Sequence, residues 1–209
     1  MICFFVLFLF FWKLEKVNRS IFFLALSISA KLIPLMFMPF FLFKFPAKKF
    51  MSFALKLALL IIIFFFPIFI HFDSFVNSLD LYFRKFEFNG GLYYLFRSIG
   101  FWIKGYNWIA FIGPFLAGLS TLFIFYIAYR AKNSILAFIY FALLAMSVYL
   151  LLSTTVHPWY LSLLILLSVF TNLRFIIIWS FLISLSYSKY FEAGSIYYYM
   201  VTLEYLLLG

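Results

Sequence analysis

Long apolar runs without a single charge decide what this chain can fold into. "LALLIIIFFFPIFI" covers residues 57 to 70, and "ILAFIYFALLAMSVYLLL" covers 135 to 152. A hydrocarbon core about 30 Å thick is crossed by roughly 20 helical residues, and backbone groups facing lipid must be bonded within helices or a closed barrel. Barrel strands would alternate apolar and polar residues, and these runs do not. The chain therefore reads as an all-α, polytopic integral membrane protein. Composition agrees: of 209 residues 68% are hydrophobic and 11% charged, with 35 Phe, 15 Tyr and 5 Trp, more apolar surface than a soluble core of this size could hide.

The net charge of +10 does not point to nucleic acid, because the basic residues sit in short clusters between apolar runs, as charges that orient membrane loops do. "MICFFVLFLFFW" has no basic segment before it and no small-residue cleavage site, so it reads as a retained helix, one expected to be cut short. The clusters "KLEKVNR" and "KFPAKK" flank residues 20 to 43, a stretch interrupted by Lys31, Pro34 and Pro39. If both clusters are cytoplasmic, 20 to 43 is a short hairpin with Lys31 near its outer tip; the alternative is one kinked span. Crossings follow at 50 to 70, 108 to 128, 134 to 152 and 159 to 172, with Lys56 placed to snorkel. Two short apolar runs, from 175 to 188 and then "YYYMVTLEYLLL", complete about 7–8 membrane segments in one transmembrane domain over 1–209. The basic "RAKNS" turn is expected in the cytoplasm, which puts "TTVHPWY" outside.

Residues 73–107 form the one long stretch rich in polar groups. Phe75, Leu79, Tyr82, Phe83 and Phe86 recur at helical spacing, which predicts a helix lying in the membrane interface. A second helix is expected after Asn89, as its cap, carrying Tyr93, Arg97 and Lys104. Gly90 and Gly91 are expected to make the turn into it, and lack the spacing of a phosphate loop. The stretch reads as an outer juxtamembrane platform. Gly113 and Ala117, four apart, suit close helix packing.

This topology gathers Lys31, His71, Asp73, Arg97, His157, Trp159 and Tyr160 at the outer surface. Cations pair with phosphate oxygens while aromatic faces stack on a sugar or line an acyl channel, so the set suits a lipid-linked phosphate. The plain alternative for His157 is an interfacial histidine within an aromatic belt of Trp159 and Tyr160. Lys31 is costly at membrane depth, by roughly 2.5 to 3.5 kcal/mol on insertion scales, and calls for a cavity or partner. Glu204 falls under the same argument, with no partner evident in sequence. His71 and Asp73 lack a third ligand at fixed spacing, so no metal site or other cofactor is assigned. The lone Cys3 rules out an intrachain disulfide.

"ISAKLIPLMFMP", then "FEFNGGLYYLFRSIG" with "GYN" after it, and finally "HPWYL" resemble, in order and spacing, the C-terminal half of bacterial membrane mannosyltransferases of the GT-C superfamily, over roughly residues 20 to 190. The resemblance implies a multi-pass enzyme of the bacterial cytoplasmic (inner) membrane. Its members move a hexose, typically mannose, from a polyprenyl-phosphate donor to a lipid or glycan acceptor at the outer face, with inversion at the anomeric carbon. By motif, Lys31 corresponds to the lysine before proline, Asn89 and Tyr93 belong to the platform motif, and His157, Trp159 and Tyr160 belong to the outer-loop motif. Donor phosphate and lipid are then expected on His157, Lys31 and Arg97, and the sugar among Trp159, Tyr160, Asn89 and Tyr93. The family's general base, an acid in the first outer loop, lies ahead of the region that matches residue 20. Asp73, Asp80 and Glu87 do not occupy its position, so no catalytic residue is assigned. The chain is expected to be a C-terminal fragment, inactive alone, that pairs with a separately encoded N-terminal half. Two other readings stand beside this one: a lipid or solute transporter with Lys31 and Glu204 along its path, and a noncatalytic membrane subunit or remnant.

Overall fold

In the computed structural model, which describes residues 1–131, 134–191 and 195–208, every regular element is helical. In chain order these are α1 (Ile2–Lys13), α2 (Val17–Ala30), a 3₁₀ turn (Ile33–Phe37), α3 (Met38–Lys44), α4 (Ala47–Phe69), α5 (Phe72–Arg84), α6 (Gly91–Lys104), α7 (Ile109–Arg130) and α8 (Ile135–Leu152). A 3₁₀ turn (Pro158–Tyr160), α9 (Leu161–Ser168), α10 (Phe175–Leu182), another 3₁₀ turn (Ile183–Tyr187), α11 (Ser188–Phe191) and α12 (Ser195–Leu208) follow. Among the described residues, three stretches are long and apolar enough to cross a membrane: Ala47–Ile68, Ile109–Arg130 and Ile135–Leu152. At 1.5 Å per residue, the 22-residue stretches reach about 33 Å, enough for the hydrocarbon core. The remaining apolar helices, counted with the 3₁₀ turns that adjoin them, have 10–17 residues, so length alone does not make them crossings. Lys132 and Asn133 of the "RAKNS" turn, and the side chains of Tyr82, Phe83 and Arg84, lie outside the described residues.

The chain divides into two compact units, residues 1–76 with 124–142, and residues 77–123 with 143–209. The first is held by rings. Phe5, Phe8, Phe37 and Phe41 are all but inaccessible, and Phe138 meets Phe8, Phe40 and Trp12 edge-on at 4.8–6.2 Å. Polar ties are few: Ser20 Oγ donates to the Phe8 carbonyl, and Lys56 Nζ donates to Asn18 Oδ1 at 3.0 Å. The helical stretch expected to break at Lys31 does so, with Lys31 extended (φ −157°, ψ 134°) after α2. The turn between α1 and α2 is unusual. Glu15 takes a left-handed conformation (φ 58°), with its N–H bonded to the Trp12 carbonyl and the Lys16 N–H to the Phe11 carbonyl. That pair of bonds is the Schellman closure of a helix, normally built on glycine.

The second unit packs Tyr93 from α6 against Ile112 and Leu116 of α7 and Leu152 of α8. Gly113, Ala117 and Ser120 line a gap of about 30 Å³ together with Tyr149 and Leu152. On α6, Leu92, Leu95, Ile99 and Ile103 are exposed at three- and four-residue spacing while Tyr93 and Gly100 are buried, an apolar stripe suited to an interfacial helix.

Candidate functional site

Two of the sequence motifs meet through the backbone. The Phe88 N–H donates to the Thr154 carbonyl at 3.0 Å, the Val156 N–H donates to the Phe88 carbonyl at 2.8 Å, and Thr155 Oγ1 donates to the Phe86 carbonyl. "FEFNGG" and "STTVHPWY" thus form a short parallel pairing, and both loops lie at the same end of the α7–α8 pair. Pro158 biases His157 toward extended backbone (φ −84°, ψ 148°), which carries the chain from the pairing into the 3₁₀ turn.

Gly90 and Gly91 serve this junction by what they lack. Neither has a positive φ; a Cβ at Gly90 would stand 2.9 Å from the Thr154 carbonyl oxygen, and one at Gly91 would stand 2.5 Å from the Tyr205 ring. The left-handed residue is Asn89 (φ 51°), and it does not cap α6 as expected; that position falls to Gly90, without a side-chain bond. Asn89 is instead wholly buried and held from three directions. Its N–H donates to Tyr197 Oη at 2.7 Å, its carbonyl accepts from the Tyr205 hydroxyl at 2.9 Å, and its Nδ2 donates to Glu204 Oε1 at 3.2 Å. Glu204, for which the sequence offers no partner, also accepts from Trp179 Nε1 at 2.9 Å and has no solvent exposure.

A second polar knot surrounds Glu87. Its Oε2 accepts from the Tyr93 hydroxyl at 2.5 Å and from Asn107 Nδ2 at 3.0 Å, and Arg97 Nε stands 3.3 Å away. Burial first, then the neighbouring Glu87 carboxylate, push the Tyr93 phenol well above its usual range. Arg97 lies against the rings of Tyr94, Phe101 and Tyr198 at 5.1–5.9 Å. Lys189 donates to the Glu87 carbonyl at 3.0 Å and sits 5.4 Å from the Phe88 ring centre. The His157 imidazole stacks on Phe88 at 4.7 Å and on Trp159 at 4.3 Å, with Tyr160 edge-on at 5.5 Å.

The expected residues therefore divide. His157, Trp159, Tyr160 and Arg97 belong to one unit and share a neighbourhood organised around Phe88 and Glu87. Asn89 and Tyr93, expected to touch a sugar, are fully buried. Trp159 spends one face on His157. Lys31 belongs to the first unit, at the end of α2. Lys189, from "SYSKYF", went unnoticed in sequence because nothing local distinguishes it from a loop charge. Around Glu87 two fixed cations face one carboxylate, which leaves excess positive charge beside an aromatic floor. Among the described residues no group of three or more His, Cys, Asp or Glu could hold a metal ion. No protein-family model, curated protein or solved structure matches the chain.

Proposed function

We propose that this membrane protein supplies the donor-binding half of a glycosyltransferase that uses a polyprenyl-phosphate hexose, with mannose the expected sugar, at the outer face of a bacterial cytoplasmic membrane. The observation that carries the reading is the backbone pairing of "FEFNGG" with "STTVHPWY", which joins two motifs of the family resemblance into one cationic and aromatic neighbourhood. In this reading the short apolar helices complete 7–8 membrane segments of a GT-C-like fold.

The chemistry follows from charge. As the sugar leaves its donor, negative charge grows on the lipid phosphate, and preorganised cations in a site shielded from water stabilise that charge most effectively. Arg97 and Lys189 supply fixed positive charge, and His157 stacks on the Phe88 ring against which Lys189 also lies. Glu87 is committed to Tyr93, Asn107 and Arg97, so it anchors the cations and is no free base. The acid that takes the acceptor's proton is assigned to a companion polypeptide. Full burial of Glu204 between Trp179 and Asn89 weighs against the transporter reading, which needs that carboxylate along a solute path.

The test is retention of radiolabelled polyprenyl-phosphate mannose by the purified chain in nanodiscs. Losing a charge-assisted phosphate contact should weaken retention by about tenfold in His157→Ala and in Arg97→Gln, with Lys56→Gln unchanged. Equal retention by all four proteins would remove the site.

A further inference from the structure

The first unit contains a cavity unrelated to that site. It encloses about 490 Å³ and is walled by the two basic clusters that flank residues 20 to 43. Lys13, Lys44 and Lys49 line it, with Trp12, Phe41 and Phe45 as its aromatic floor. The Lys44 ammonium stands 4.6 Å from the Trp12 ring centre and that of Lys49 5.0 Å from Phe45. Glu15, on its left-handed turn, is the one carboxylate in the lining, so three ammonium groups face one negative charge. Burial, then the charge of Lys49, push Lys44 below the usual lysine range, as expected where like charges converge on a partly dry site. Ser134 and Ile135 complete the wall. The Ser134 Oγ accepts from the Ala137 N–H, so the first turn of the 18-residue α8, which has no acid of its own, adds the positive end of a helix dipole.

We propose that this cavity binds a phosphate-class anion, namely the headgroup of an anionic phospholipid. Phosphate oxygens accept from Lys13, Lys44 and Lys49 together and offset the repulsion between them, while the aromatic floor covers the glycerol. Leu14 and Phe43, next in sequence to Lys13 and Lys44, and Val17, two residues after Glu15, are exposed and provide apolar surface on which acyl chains continue. A free phosphate shares the headgroup chemistry but gains nothing from that surface. By the positive-inside rule these clusters face the cytoplasm, where anionic lipids attract basic segments.

Native mass spectrometry of the full chain, released from nanodiscs of phosphatidylglycerol mixed with phosphatidylcholine, reads which lipid stays bound; titration with inorganic phosphate supplies the free-anion arm. We expect phosphatidylglycerol to be retained in preference to phosphatidylcholine. Each lysine is expected to contribute about fivefold, so Lys44→Gln with Lys49→Gln should lower retention by about twenty-fivefold. Lys49 is exposed, so Lys49→Gln alone should keep the helical circular dichroism and still lose about fivefold. Lys104→Gln, in the other unit, should leave retention unchanged. Displacement of the lipid by millimolar phosphate would keep the anion site and overturn the lipid assignment. Equal retention of both lipids, or undiminished retention in the Lys49→Gln protein, would overturn the proposal.

Discussion

Among the described residues, each unit holds one non-glycine residue in the left-handed conformation, and the two are held there by opposite means. Glu15 is fixed by its own helix end, through backbone bonds to Trp12 and Phe11, with its side chain exposed. Asn89 is fixed by residues more than 100 positions away, which engage its N–H, its carbonyl and its side chain. The first conformation is a local convenience that any glycine could take over. The second is imposed by tertiary structure, the circumstance in which strained backbone is retained at working sites. Lipid sharpens the contrast. Moving an aliphatic or aromatic group from lipid into protein gains little, whereas a polar group in hydrocarbon must find a partner, so buried polar knots determine position more strictly than greasy cores.

The largest expected effect comes from taking away the carboxylate that organises Asn89. Glu204→Leu strands Trp179 Nε1 and Asn89 Nδ2, two buried donors, and should cost about 3 kcal/mol in equilibrium unfolding from mixed micelles. Glu204→Gln keeps an acceptor and should cost under about 1 kcal/mol. If both variants unfold alike, the polar knot does not hold the unit together.

Asn89→Gly tests the conformation itself. Glycine relieves roughly 1 kcal/mol of left-handed strain but loses the bond to Glu204, so the net expectation is a loss of about 1 kcal/mol. Glu15→Gly makes the same relief with nothing lost, and should stabilise by about 0.5 to 1 kcal/mol. Opposite signs for one chemical change, measured in the same micelles, would confirm the difference; equal signs would erase it. Glu15→Gly also removes the one carboxylate from the lysine-lined cavity, so it should raise phosphatidylglycerol retention.

The sequence made the long helices plain. Uncharged runs and basic turns placed crossings at 50 to 70, 108 to 128 and 134 to 152, within a few residues of α4, α7 and α8. Lys31 and the prolines after it marked the break that follows α2. What stayed hidden depends on contacts across the fold. Glu204 lies within "YMVTLEYLLL", whose pattern records an apolar helix and says nothing of an asparagine 115 positions earlier. Asn89 looked like a helix cap because asparagine before a helical run usually is one. Arg97 looked like a free phosphate ligand because its pairing with Glu87, ten residues back, forms across a turn that local periodicity does not describe.

The pairing of Phe88 with Thr155 also sets a timetable. Thr155 is synthesised 67 residues after Phe88, a wait of roughly 3 to 13 s at ordinary translation rates. During that interval α7 and α8 must both enter the membrane. Asn89 waits longer, since Glu204 follows it by 115 residues. Until α12 emerges its amide has only water or the insertion machinery to bond. A ribosome paused between α8 and α12 would therefore leave a half-closed loop at the bilayer surface, and quality-control proteases would meet it there.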